Sequence, residues 1–154
     1  LHSTSRRQRQ MCIETGKYLV KTLPDHLEQY ACKVIEQGYL NTNPVVRIRR
    51  SNDDYILTYK GKGMMVREEY NLPLTQESYE HLKPKADGIV ISKTRYLIPE
   101  KDGLTIELDV FHEDYDGLLL AEVEFESEEQ ANTYIPPEWF GEDALILLLI
   151  TTAL

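Results

Sequence analysis

Between Val45 and Ser127 charged residues recur two apart inside short strand-like segments, and each segment carries one sign of charge. The basic segments are Arg47-Ile48-Arg49, Lys60-Gly61-Lys62 and Lys93-Thr94-Arg95; the acidic ones are Glu107-Leu108-Asp109 and Glu122-Val123-Glu124-Phe125-Glu126. Successive side chains of a β-strand point to opposite faces, so residues i and i+2 share a face and each pair forms a like-charged cluster. Two folds accommodate such clusters. In a plain antiparallel sandwich or half-open barrel, Ile48, Leu57, Ile106, Leu108, Val123 and Phe125 fill the core and the charged rows face water, paired across strands. In a closed barrel the charged rows line the inside. Sorting charge by sign along each strand wastes the cross-strand pairing of a solvated face, which favours the barrel. A polyanion against the basic pairs and a divalent cation against the acidic pairs would neutralise both sets.

Composition narrows the partners. The chain has 154 residues, the size of one ordinary domain, and a formal net charge of -9, which argues against a general nucleic-acid binder. Cys12 and Cys32 lie in no C-x-x-C or Cys/His cluster, and read as reduced thiols of a cytoplasmic protein. His2, His26, His81 and His112 are scattered without metal-ligand spacing. Residues 1–11 read as a polar, basic, disordered leader with no apolar stretch behind it, and no membrane association is expected. The apolar tail of residues 144–154 is well short of the roughly 20 residues a spanning helix needs and is expected to be a buried strand or helix.

Turn residues divide the middle of the chain clearly. Leu23-Pro24-Asp25 predicts a short helix to about Tyr30, and a strand follows from Lys33 to Leu40. Strands over Val45–Arg50, Tyr55–Lys60 and Met64–Asn71 complete an antiparallel meander. Thr75 caps a helix to about Leu82; Gly88–Pro99 and Leu104–Phe111 form a long hairpin; Gly117–Glu126 is the next strand; and Ser127-Glu128-Glu129-Gln130 is a capping box opening a last helix.

The ordered run Lys17-Tyr18-Leu19-Val20, Val46-Arg47-Ile48-Arg49, Leu57-Thr58-Tyr59-Lys60, Arg67-Glu68-Glu69, Lys93-Thr94-Arg95-Tyr96, Glu107-Leu108-Asp109 and Ala121-Glu122-Val123-Glu124 resembles the CYTH superfamily, the triphosphate tunnel metalloenzymes. The resemblance covers about Lys17 to Gly141 and places a tunnel domain over residues 12–143. It implies a mainly β fold, a closed antiparallel eight-stranded barrel with a few short helices. It also implies hydrolysis of a triphosphate with Mg2+ or Mn2+, the small bacterial members suggesting inorganic tripolyphosphate. Arg47, Arg49, Lys60, Lys93 and Arg95 would bind phosphate, with Lys62 a weaker candidate; Lys17, Glu69, Lys93 and Arg95 would serve catalysis. Glu107, Asp109, Glu122 and Glu124 would bind the metal.

The family opens on Glu-x-Glu-x-Lys, whereas counting back from Lys17 gives Thr15 and Ile13. Glu14 is one residue out of register. A bulge at Thr15-Gly16 would turn Glu14 inward as a metal ligand and leave Cys12 at the other glutamate's place. Nucleoside or thiamine triphosphate hydrolysis, ATP cyclisation, and polyphosphate or nucleotide binding without turnover stay open as alternatives. The sequence leaves the oligomeric state open.

Overall fold

The computed structural model describes residues 14–62 and 68–143. The expectations for the leader, Cys12, Arg67 and the apolar tail fall outside them. Among the described residues the elements are β1 (Glu14–Val20), a 3-10 turn (Leu27–Gln29), β2 (Ala31–Thr42), β3 (Val45–Ser51), β4 (Asp54–Lys60), β5 (Glu69–Pro73), α1 (Gln76–Leu82), β6 (Asp87–Pro99), β7 (Thr105–Phe111), β8 (Leu119–Phe125), α2 (Glu128–Thr133) and β9 (Phe140–Asp143). The fold is mainly β, as the charge alternation and the resemblance imply. The helix expected before β2 is only a 3-10 turn, because His26 takes the left-handed conformation (φ 59) and breaks the helical run. The two α-helices start where their caps predict: Thr75 Oγ1 accepts from Ser78 N–H at 3.1 Å, and Ser127 Oγ from Gln130 N–H at 3.1 Å.

The strands form one antiparallel sheet in the order β5-β4-β3-β2-β6-β7-β8-β1-β9. β2 to β5 and β6 to β8 pair as neighbours in sequence, while β2 reaches across to β6 and β1 crosses the whole domain to pair with β8. The expected barrel has eight strands; the sheet has nine, the ninth being the short β9 beside β1. No ladder joins β5 to β9 among the described residues.

Register assigns every charge to a face. One face carries Ile48, Ile106, Leu108, Ala121, Val123 and Phe125, all under 4% exposed. Its larger cluster gathers Ile98, Leu104 and Phe140, with Tyr18 and Tyr134 packed against it. Both helices lie on this outer face: Tyr134, following α2, stacks 5.2 Å from Phe125, and Tyr79 of α1 lies 5.3 Å from Tyr55 and donates to the Glu36 carboxylate at 2.8 Å. Among the described residues no α-helix lies on the opposite face, yet Lys93 and Asp109 there are only 5% and 1% exposed. Burial on that face among the described residues fits a sheet that curls over it as in a barrel, with Tyr115 and Leu118 of the β7–β8 connection packed beside it. The hydrophobic residues expected in a sandwich core are thus on the outer face of a curled sheet and the charged rows are on the inner face.

Candidate active site

Cross-strand register brings the charged pairs together on the inner face. Arg47 and Arg49 of β3 lie opposite Tyr39 and Gln37 of β2; Lys93 and Arg95 of β6 lie opposite Ile35 and Lys33. On the other side of β6, Arg95 faces Asp109 of β7, and a row then runs Leu97, Glu107, Glu122 and Lys17 across β6, β7, β8 and β1. Lys60 of β4 faces Glu69 of β5, with Nζ 3.8 Å from the carboxylate. Glu124 stands next to Glu122 on the same face but is exposed, at the rim.

A buried cluster of two cations and two carboxylates forms the centre. Lys93 Nζ donates to Asp109 Oδ2 at 2.6 Å, and Arg95 donates from Nε to Oδ1 at 2.7 Å and from Nη2 to Oδ2 at 2.8 Å. Arg95 Nη1 also donates to Glu107. Burial alone would raise the Asp109 pKa, but the Arg95 and Lys93 contacts outweigh it and hold the carboxyl below its ordinary range. Burial lowers the Lys93 pKa, and the neighbouring guanidiniums of Arg95 and Arg49 add to that against the pull of Asp109. Glu107 behaves oppositely. Burial raises its pKa, and the nearby Glu122, Glu124 and Asp109 raise it further against Arg95. Arg49 is lowered to about 10 by burial and then by the like charges of Arg47 and Arg95.

The arginines of β3 are set differently from each other. Arg49 donates from Nε and Nη2 to Gln37 Oε1, at 3.0 and 2.8 Å, and Gln37 is itself only 3% exposed. Arg47 Nε is buried and has no hydrogen-bond partner among the described residues. Buried N–H groups are nearly always paired, so an orphan on a charged inner face fits an absent anionic acceptor.

The acidic side suits a hard divalent cation. Glu107 and Glu122 are directly opposite one another across the β7–β8 ladder, with Glu124 beside them. Among the described residues no three carboxylate, histidine or cysteine side chains converge on one point. Mg2+ characteristically takes one or two carboxylates and completes its shell with water and phosphate oxygens, so this donor set fits it. The Glu107 pKa, raised in part by its carboxylate neighbours, marks a surplus of negative charge there.

Several expected positions differ from the sequence reading. Asp109, expected among the metal ligands, accepts from Lys93 and Arg95 through both oxygens. Lys62 lies beyond the end of β4 and is exposed, because the strand stops at Lys60. The β1–β8 register runs unbroken from Glu14 to Leu19, so there is no bulge at Thr15-Gly16: Thr15 is opposite Glu124, and Glu14 holds the register position opposite Phe125 of the outer face. Gly16 has a packing reason instead, since a Cβ there would meet the Tyr18 ring at 2.9 Å and the Phe125 ring at 3.1 Å. Sequence reasoning missed Gln37 and Lys33, which share the inner face of β2 without forming a like-charged pair. Their signal was strand parity with Ile35.

The CYTH domain matches residues 16–145. This chain belongs to the CYTH domain family. The CYTH chain is 41% identical over 130 residues to an inorganic triphosphatase of Nitrosomonas europaea, covering 82% of this chain and 85% of that one. It is 33% identical over 112 residues to an inorganic triphosphatase of Acetivibrio thermocellus, covering 70% and 69%. A crystal structure of an inorganic triphosphatase superposes on this CYTH domain with a TM-score of 0.68 at 38% identity, covering 84% of this chain and 87% of that one. No helix among the described residues of the CYTH domain is long and apolar enough to cross a membrane.

Proposed function

We propose that this protein is a metal-dependent triphosphatase whose favoured substrate is inorganic tripolyphosphate, split into phosphate and pyrophosphate. The observation that carries the reading is the orphaned Arg47 Nε, buried on the charged inner face beside Arg49. Relatives named inorganic triphosphatase, similar over most of the chain, support it. The exposed free thiol of Cys32 fits a reducing, cytoplasmic compartment.

Phosphoryl transfer is mostly positioning and charge stabilisation, and this face offers both. Arg47 and Arg49 present guanidinium forks to phosphate oxygens, and Lys60, Lys93 and Arg95 add charge around them. Lys17, opposite Glu122, adds a cation on the acidic side. Glu107, Glu122 and Glu124 would hold the metal, Mg2+ or Mn2+, which would supply charge neutralisation and a more acidic attacking water. Asp109 braces Lys93 and Arg95 in place. Glu69 fixes Lys60 at the edge strand. Water attacks a terminal phosphorus, the bond to the bridging oxygen breaks, and pyrophosphate leaves against the basic rows.

Phosphate release from tripolyphosphate, ATP and thiamine triphosphate, with and without Mg2+ or Mn2+, tests this reading. Metal-dependent release, fastest from tripolyphosphate, is expected. Release from none of the three would overturn it. Binding without release would instead mark a non-catalytic polyphosphate-binding barrel, a reading favoured by Thr15, which stands opposite Glu124 where the family carries a glutamate.

A further inference from the structure

We propose that Gln37 is a positioning residue for phosphate binding: its amide oxygen holds the Arg49 guanidinium in place and, being neutral, leaves that guanidinium its charge for the substrate. The inference rests on the triphosphate reading above and adds how the basic side of the site keeps its charge.

Two arginines of the inner face are held by different chemistry. Arg95 is gripped by Asp109 and also reaches Glu107, so carboxylates answer its charge. Burial alone would lower the Arg95 pKa, but Asp109, Glu107 and Glu122 outweigh it and raise it. Arg49 has no carboxylate within ion-pair distance among the described residues. Its brace is one neutral oxygen, Gln37 Oε1, which accepts from Nε at 3.0 Å and from Nη2 at 2.8 Å. Burial, and then the like charges of Arg47 and Arg95, bring the Arg49 pKa down to about 10, and the opposing pull of Tyr39 and Asp109 does not offset them. The ladders repeat the contrast. Lys17, Lys60 and Arg95 each stand opposite a carboxylate, Glu122, Glu69 and Asp109. Every ladder partner of the β3 pair is uncharged: Gln37 and Ile56 for Arg49, Tyr39 and Thr58 for Arg47.

β2 delivers Gln37 to this point. It is directly opposite Arg49 on one ladder and Ile91 on the other, and it is 3% exposed. A guanidinium carries donors only, so the amide has to turn its oxygen toward Arg49. Two donors on one acceptor orient the fork by its Nε–Nη2 edge and leave Nη1 and the second hydrogen of Nη2 for phosphate oxygens. With no acceptor at residue 37, those buried N–H groups would lose their partner, which is costly. With a carboxylate there, the guanidinium would be neutralised before a phosphate arrived, and the phosphate would have to compete with that built-in counter-charge. The amide avoids both outcomes. Arg95 is thus an arginine whose charge is largely spent within the protein, and Arg49 is one whose charge is kept in reserve.

Steady-state hydrolysis of tripolyphosphate in Mg2+ buffer, beside thermal melts of the substrate-free proteins, tests this with Gln37→Glu and Gln37→Leu. Gln37→Glu keeps the shape and the acceptor but sets a negative charge against Arg49. It is expected to melt no lower than wild type and to lose about a hundredfold in kcat/KM. Gln37→Leu keeps the charge of Arg49 unanswered but removes the acceptor, and it is expected to melt lower and to lose about tenfold in kcat/KM. A merely structural Gln37 predicts the reverse order of activity, because Gln37→Glu is the closer mimic in shape and hydrogen bonding; that order, or wild-type kcat/KM in Gln37→Glu, would overturn the proposal. Should Gln37→Glu fail to fold, Gln37→Leu decides, and an unchanged kcat/KM in it overturns the proposal as well. Wild-type protein that releases no phosphate from tripolyphosphate would remove the triphosphatase reading and this proposal together, whereas an active wild type with equally active variants would remove this proposal alone.

Discussion

Arg95 grips both oxygens of Asp109, Nε on Oδ1 at 2.7 Å and Nη2 on Oδ2 at 2.8 Å. Lys93 adds a third donor, and the carboxylate is 1% exposed. Three charge-assisted hydrogen bonds take up most of the acceptor capacity of Asp109 and fix the two cations that a phosphate would meet.

Asp109→Asn should therefore cost about 3–5 kcal/mol at neutral pH, because it leaves Lys93 and Arg95 buried without their counter-charge. The sign with pH follows from the lowered folded-state pKa of Asp109. Its contribution is fully present above the ordinary aspartate range and is lost as pH falls through the folded value. Denaturant unfolding of both proteins at pH 7 and in acid checks this, and a difference that persists unchanged into strong acid would contradict it.

Arg49→Ala should lower triphosphate hydrolysis by about 10² to 10³ while leaving the fold intact. Burial, and then crowding by Arg47 and Arg95, pulls the Arg49 pKa down to about 10, so removing its charge relieves desolvation and repulsion. Steady-state kinetics beside a thermal melt separate the two effects. Wild-type turnover in the variant would take Arg49 out of the site.

Glu107→Gln should raise the metal concentration needed for half-maximal activity and stabilise the metal-free protein at neutral pH. The folded-state pKa of Glu107 is raised, so its carboxylate is tolerated best when protonated, below the ordinary glutamate range, and that contribution is lost as pH rises through the folded value. The same shift predicts that wild-type metal affinity weakens at mildly acidic pH. Metal titrations at two pH values with both proteins check both statements.

Thr15→Glu should lower the metal requirement. Residue 15 is opposite Glu124 in an unbroken ladder, so a carboxylate there joins Glu122 and Glu124 on the inner face. An unchanged metal dependence would place the ion elsewhere on that face.

Much of this arrangement was legible in the sequence because strand parity is strict. Once Arg47-x-Arg49 and Glu107-x-Asp109 are read as strands, the partners on each face follow. What parity does not carry is who touches whom. That Asp109 is consumed by Arg95 while Glu107 stays partly open depends on how far the sheet curls, and that is a property of all its strands together. The end of β4 at Lys60 likewise decides the position of Lys62, and Gly16 looked like a bulge only because the ring packing of Tyr18 and Phe125 was out of view.

The pairing of β1 with β8 also dictates an order of assembly. Lys17 and Glu122 are partners, yet almost the whole domain separates them in the chain, and closing so long a loop carries a large entropic cost before any contact repays it. The meanders β2 to β5 and β6 to β8 can form locally as they emerge from the ribosome, and β2 then pairs with β6. β1, made first among the described strands, has no neighbour until β8 has been synthesised, and through that interval it leaves Tyr18 and Val20 uncovered. The strand that carries Lys17 thus joins the sheet late, ahead only of β9, which pairs with it, and is the one most exposed to mispairing with another newly made chain.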